Sequence, residues 1–295
     1  MDLLQLRYFQ TVARLEHMTH AARELAIAQP SLSQTIARLE EELGAPLFDR
    51  QGRQIRLNQP GRLFLQHVER VFSELEQGKR EIADLTGLER GHVALAVIGS
   101  YLLPDLLKAF LSLYPHISFR LFQQHSTLTV LHQLENSNID LCITSPPIQQ
   151  PGIGWVSLIT EEIFLVVPPH HRLAGAGSIR LGEVAHETFV GLKPGNSMRD
   201  ITDDFCRRAG FTPNVAFEGD EPEVVRGLVG AGLGIAFWPA LAWRNPSVSG
   251  VVRLHVTEPV CQRTIGLAWL QGRYLSLAAR RFREFVIDYF ASLTQ

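Results

Sequence analysis

Between positions 29 and 34 the chain reads Gln29-Pro30-Ser31-Leu32-Ser33-Gln34, which sets two amides and two hydroxyls close together. Uncharged groups that both donate and accept hydrogen bonds suit the reading of base edges. Thr19 places another hydroxyl ahead of them, and Arg38 follows with a cation. From 49 to 62, Arg50, Arg53, Arg56 and Arg62 stand against Asp49 alone. Arginine carries a planar fork of donors that matches phosphate. Glu40, Glu41 and Glu42 lie between the two groups and would repel a polyanion if they faced one. The chemistry is therefore divided: amides and hydroxyls specify, and arginines hold a phosphate backbone or enter a minor groove. Taken by themselves, the arginines would equally suit a surface hairpin with solvated cations.

The elements that must position these groups can be read from periodicity. Leu6, Phe9 and Ala13 share one face of a helix over Leu3 to Leu15. Thr19 is a plausible N-cap for a short helix over His20 to Leu25, whose Ala21 and Ala22 allow close approach. Pro30 suits the first turn of the next helix. Leu32, Ile36, Leu39 and Leu43 form its buried stripe, and Gly44 is a good stop. Two short helices with a tight turn make a helix-turn-helix. Angular placement turns the Gln29–Gln34 end and Arg38 outward and puts the glutamates at the far end. "FDRQGRQIRLN" then reads as a β-hairpin wing with a strand near Gln54–Leu57.

Phe64, Val68, Val71, Leu75, Gly78, Ile82 and Leu85 recur with a 3.5-residue period in one long helix over 60–86. That period favours a partner helix, so Phe64, Val68, Val71, Leu75 and Ile82 are the expected dimerisation residues. A helix packed on its own domain is the alternative. Gly78 is either a point of close helix–helix approach or a soft point.

Totals bound the class. The chain has 295 residues, 45% of them hydrophobic, a net charge of −2 and three well-separated cysteines. It is folded, with room for two domains. No apolar run is long enough to span a bilayer, and MDLLQLRYF lacks the layout of a secretion signal. No membrane association and a reducing, cytoplasmic setting are expected. The near-neutral charge means that any polyanion must be met by a local patch.

The stretch "LQLRYFQTVARLEHMTHAARELAIAQPSLSQTIARLEEELGAPLFDRQGRQIRLNQPG" strongly resembles the winged helix-turn-helix of LysR-type transcriptional regulators. The pattern is Leu6-Arg7-Tyr8-Phe9, Ala21-Ala22, Gln29-Pro30-Ser31-Leu32-Ser33, Ile36, Leu39-Glu40, Leu43-Gly44, Leu47-Phe48, Arg50 and Gly61. The later chain matches more loosely, and "FEGDEPEVVRGLVGAGLGIAFWP" with "CQRTIGL" resembles the subgroup that includes the activator of glutamate synthase genes. His20 and Gln34 stand where many relatives carry Arg, which moves phosphate contact toward the wing. The resemblance implies an N-terminal all-α winged helix-turn-helix plus a long linker helix, and a C-terminal α/β two-lobed effector domain like periplasmic binding proteins. The expected boundaries are 1–59, 60–88 and 89–295, with lobe I at about 89–160 and 270–295 and lobe II at about 161–269. Implied partners are double-stranded promoter DNA bearing an inverted repeat, RNA polymerase, a homodimer assembled as a homotetramer, and a small organic acid effector.

From Gly91 onward, apolar β-rich runs alternate with helical patterns, so a largely parallel sheet is expected. Ser100, Thr127 and Ser145 follow the carboxyl ends of strands, where open α/β sheets bind ligands. The loop Lys193 to Ser197 enters a helix in a second unit that also holds Phe237. Ser100, Thr127, Ser145, Ser197 and Phe237 are the candidate effector residues. Helix N-termini and hydroxyls favour a small carboxylate. For the Ser and Thr positions, simple helix capping is the competing reading. "GLVGAGLG" runs from helix into strand, the reverse of a nucleotide loop. His170-His171 lacks further metal-ligand spacing, and Cys206 has no sequence-near thiol partner. No metal, cofactor or enzymatic activity is expected. The competing class is a small-molecule-binding or enzymatic α/β protein whose N-terminal helices only oligomerise.

Overall fold

The structure, a computed structural model, describes residues 1–51, 54–85, 91–97, 100–124, 126–136, 138–244 and 250–293. It divides into two compact units, Met1–Ala83 and Asp84–Gln295.

In the first unit, α1 (Leu3–Leu15), α2 (Met18–Glu24) and α3 (Gln29–Leu43) precede the hairpin β1 (Phe48–Gln51) and β2 (Gln54–Leu57) and the long helix α4 (Gln59–Leu85). Asp2 and Gln5 form a capping box at the start of α1. Helix α2 begins one residue before Thr19, with His17 as its N-cap, so Thr19 lies exposed in the first turn and does not cap. Pro30 sits in the first turn of α3, and Gly44 ends it in the left-handed conformation at φ +69°. Leu32, Ile36 and Leu39 are buried against Phe9, Ala21 and Ala22, while Leu43 in the last turn is 37% exposed.

The heptad positions of α4 divide. Val68 is buried and the Phe64 ring packs tilted against Phe9, centroids 5.2 Å apart, so both belong to the core of their own unit. Val71, Leu75 and Ile82 are exposed by 41%, 44% and 63%. A period of 3.5 states only that one stripe is apolar, and the first turns of α4 spend that stripe on the domain that precedes it. At Gly61 a Cβ would lie 2.1 Å from the Leu47 carbonyl oxygen, so only glycine lets α4 start so close to the wing.

The second unit holds β3 (His92–Val97), α5 (Leu103–Leu113), β4 (Ser118–Gln123), α6 (Thr127–Glu135), β5 (Leu141–Thr144) and β6 (Ile153–Val167). It continues with β7 (Ser178–Arg180), β8 (Thr188–Leu192), α7 (Ser197–Arg208), β9 (Asn214–Gly219), α8 (Pro222–Gly230), β10 (Ala236–Pro239), β11 (Val252–Glu258), β12 (Gln262–Leu270) and α9 (Leu277–Leu293).

The main sheet runs β4-β3-β5-β12-β6-β11-β7, with β10 also on β6. Strands β3, β4 and β5 are parallel, but β12 is antiparallel to both β5 and β6. The expected largely parallel sheet is thus mixed, because the chain returns through β12 without a crossover helix. Strand β12, inside the 161–269 range expected for lobe II, pairs with β5 and with the first part of β6 in the sheet of the first lobe. Strand β6 serves both lobes: its first part pairs with β12, and its end pairs with β10 and β11. Helices α5 and α9 bury Phe110, Phe282 and Val286 on the first lobe's sheet. Phe189, Phe205 and Leu254 centre the second lobe.

Candidate nucleic-acid interface and ligand cleft

On α3, Gln29, Pro30, Ser31, Gln34 and Arg38 are exposed and Ser33 is half-buried. The N-cap, Ala28, offers no side-chain acceptor to the first N–H groups of the helix. Arg53 lies outside the described residues, as does the side chain of Arg50, whose backbone lies in β1. Arg56 on β2 is exposed.

The wing is held by two glutamates that the sequence did not single out for this. Glu40 Oε1 accepts the backbone N–H of Leu47 at 2.8 Å and of Phe48 at 3.3 Å. Glu16 Oε1 accepts the N–H of Leu57 at 2.9 Å. One carboxylate therefore fixes the entry of the hairpin and the other its exit. Glu40, the first of the acidic run, is structural; Glu41 and Glu42 are exposed on the last turns of α3.

In the second unit a cleft of about 430 Å³ is lined by Thr127, Ser145, Ser197, Asp204, Arg208 and Arg263, among others. Thr127 and Ser197 are the first residues of α6 and α7, and their hydroxyls lie 3.2 Å apart. Asn196 caps α7 by accepting from Met198 N–H at 2.9 Å, which leaves the Ser197 hydroxyl for the cleft contact. Ser145 is 2% exposed, and its Oγ has no hydrogen-bond partner among the described residues. Ser100 opens a short 3₁₀ turn, Ser100–Leu102, and its side chain lies outside the described residues. Three of the candidate hydroxyl residues thus share one cleft. Phe237 does not line it: alternation along β10 turns the ring into the second lobe, 5.9 Å from Phe189 and 6.1 Å from Phe205.

Behind the cleft lies an ion pair that the sequence analysis missed. Arg263 and Glu161 face each other across β12 and β6, both buried, with Nε–Oε1 at 2.7 Å and Nη2–Oε1 at 2.6 Å. The Tyr101 hydroxyl donates to Glu161 Oε1 at 3.2 Å and accepts from Arg263 Nη2; Leu241 N–H donates to Oε2 at 2.8 Å. Burial pushes the Tyr101 phenol up, against the pull of Arg263 and with the help of Glu161, so it stays a neutral donor. The available signal was a charge inside an apolar strand, in "CQRTIGLAWL" and "EEIFLVV", but only the register matches the two.

Cys206 and Cys261 are buried, and burial is the largest cause that pushes each thiol up to about 12. Neither is a thiolate near neutral pH. Among the described residues no metal-binding cluster is present, and no helix is long and apolar enough to cross a membrane.

A helix-turn-helix with a wing, joined in one chain to a two-lobed α/β domain with a hydroxyl-lined cleft, defines a ligand-responsive DNA-binding regulator. The family models agree: residues 3–62 match the bacterial regulatory helix-turn-helix of the LysR family, and 86–291 match the LysR substrate-binding domain. The chain belongs to the LysR family of transcriptional regulators. It is 44% identical to the uncharacterized HTH-type transcriptional regulator YybE of Bacillus subtilis, covering 99% of this chain and 100% of the relative. It is 36% identical to the transcriptional dual regulator GltC of the same organism, covering 100% and 99%. The effector-binding domain of QuiR in complex with shikimate covers 69% of this chain and 98% of its own, at 28% identity and a TM-score of 0.62. The relatives are transcriptional regulators, a non-enzymatic class whose members carry this DNA-binding helix-turn-helix.

Proposed function

We propose that the protein controls its target promoters by binding an inverted repeat as a homodimer, assembled further as a homotetramer that works with RNA polymerase, in response to a small carboxylate. The working parts are the DNA-binding domain 1–59, the linker 60–88 and the effector domain 89–295. The observation that carries the ligand half is the Thr127–Ser197 hydroxyl contact, one from each lobe, in the cleft also lined by Ser145, whose Oγ has no partner among the described residues. Polar groups that meet across a cleft without filling it suit a small polar ligand. The family member with shikimate in its effector domain supports a carboxylate.

For DNA, the Gln29–Gln34 end of α3 reads bases, with Gln29, Pro30, Ser31, Ser33, Gln34 and Arg38 on α3 and Thr19 on α2 as the contact residues. Arg50 and Arg53 bring the wing to phosphate or the minor groove. The exposed Val71, Leu75 and Ile82 support a second helix against α4. At Gly78 a Cβ would meet nothing within 4 Å of this chain, which fits a glycine kept for a partner's approach.

The test is a gel-shift series on the DNA upstream of the protein's own gene, run at increasing salt. Salt-sensitive binding to an inverted repeat, altered by a carboxylate, is the expected result. Absence of any such binding would sink the operator assignment. Binding indifferent to every carboxylate would remove the proposed ligand class.

A further inference from the structure

The effector domain carries its own concentrated run of cations. Between 273 and 283 stand Arg273, Arg280, Arg281 and Arg283 with no acidic residue, a net charge of +4 in eleven residues. The wing stretch 49–62 sets four arginines against Asp49, which is +3 in fourteen. The run is therefore at least as cationic as the wing.

Helix α9 turns these groups outward. Ala278, Ala279, Phe282, Val286 and Phe290 form its buried face, while Arg280 and Arg281 are exposed and Arg283 is half-buried. Arg280 and Arg283, three residues apart, share one flank of the helix, and Arg281 lies on the other. Each guanidinium lies over an aromatic ring. The distances from guanidinium carbon to ring centroid are 5.1 Å for Arg283 over Trp269, 5.2 Å for Arg281 over Tyr114 and 5.7 Å for Arg280 over Tyr274. None of the three pairs with a carboxylate among the described residues, although Glu284 follows directly. A ring holds a guanidinium in place without neutralising it.

The chemistry of the partner follows. Unbalanced cations call for an anion, and a guanidinium laid on a ring keeps an N–H edge that matches two phosphate oxygens. The flank has no apolar centre, since the exposed large hydrophobics of α9 are Leu277 and Leu293, in its first and last turns. A protein interface gathers apolar groups at its core and leaves charge to the rim, whereas a phosphate backbone is met by cations. The chain also carries a DNA-binding helix-turn-helix, and duplex held there offers its flanks at a raised local concentration.

We propose that Arg280 and Arg283 form a second DNA contact, on the effector domain, that takes the phosphate backbone of duplex flanking the operator. The contact adds affinity and salt dependence and reads no bases. Trp269 and Tyr274 are positioning residues that hold the two forks, which lowers the ordering cost of binding. The inference rests on the reading of the N-terminal unit as the operator-binding part.

The test uses the full chain and fluorescence anisotropy at several salt concentrations. One probe is the footprinted operator fragment upstream of the protein's own gene; the other is the same fragment extended by about two helical turns on each side. Wild type should bind the extended duplex more tightly and with the steeper salt slope. The double variant Arg280→Gln, Arg283→Gln should lose about three- to tenfold on the extended duplex at low salt, with a slope smaller by about two for each pair that touches DNA. It should match wild type on the short duplex. The double lysine variant should keep most of the slope, because it keeps the charge. Arg281→Gln removes an equal charge from the other flank and should change neither duplex. If the double glutamine variant unfolds, Arg280→Gln decides alone, since Arg280 is exposed. Equal binding of the extended duplex by variant and wild type overturns the proposal. So does an equal loss on both duplexes, which would place the arginines' effect in the fold or within the operator complex. A loss from Arg281→Gln as large as that from Arg280→Gln would replace the site by diffuse charge. Unchanged DNA binding with a fall in transcription would assign the flank to an acidic protein surface instead. Failure of wild type to bind either duplex overturns the operator reading and this contact with it.

Discussion

Thr127 Oγ1 and Ser197 Oγ lie 3.2 Å apart, although 70 residues separate them in the chain and they open helices on different lobes. A direct contact between two hydroxyls is a modest interaction, about 0.5–1.5 kcal/mol net. A ligand that offers an acceptor to both can replace it at little cost. Thr127→Ala and Ser197→Ala should therefore leave operator affinity within about twofold while abolishing the carboxylate response in a transcription assay. A full response in both variants would move the site away from this contact.

The wing is braced by two carboxylates. Glu40 bonds the backbone at Leu47 and Phe48, and Glu16 bonds it at Leu57. Removing a negative charge near a DNA-binding face would ordinarily tighten binding. Glu40→Ala should do the reverse, because the hairpin loses the carboxylate that fixes its entry. The expected loss is about 1–3 kcal/mol of stability in the N-terminal unit, with weaker operator binding by fluorescence anisotropy. Tighter binding by this variant would show that the charge outweighs the brace.

What the sequence made legible follows the range of the interaction. The stripe Leu32, Ile36, Leu39 is set by helical periodicity, and Gly44 by local backbone conformation, so both were readable. Glu40 was read as a charge in an acidic run and as part of the family pattern, but not as a brace, because its bonds reach seven and eight residues along the chain to a hairpin whose approach sequence does not specify. Arg263 and Glu161 are 102 residues apart, and only the β6–β12 register pairs them. Phe237 was a candidate as part of the second unit. Which face of β10 it occupies depends on the partner strand, and that face is the second lobe's core. Thr127, Ser145 and Ser197 were readable because the ends of strands and the starts of helices are local features, whereas their convergence on one cleft is tertiary.

The division between specifying and holding groups predicts different signatures on DNA. Arg53→Ala should weaken binding to all sequences alike and reduce the slope of log affinity against log salt by about one. Gln29→Ala and Gln34→Ala should keep the slope and relax preference among bases at one or two operator positions. A competition series over mutated operators at three salt concentrations separates the two effects. A uniform loss from Gln29→Ala would reassign that amide to the backbone.

The split along α4 sets the last expectation. Phe64 and Val68 are committed to the core of the N-terminal unit, so changing them would unfold that unit whatever the oligomer does. Leu75 is 44% exposed on the same helix and has no place in that core. Leu75→Glu should therefore spare the fold, with circular dichroism and the folding of the isolated N-terminal unit unchanged. If α4 pairs with a second α4, the variant buries a charge at that seam, which costs several kcal/mol unless it is relieved by dissociation. Analytical ultracentrifugation should then show a smaller assembly, and binding to an inverted repeat should fall far more than binding to a single half-site. An unchanged mass would place the dimer contact elsewhere in the chain.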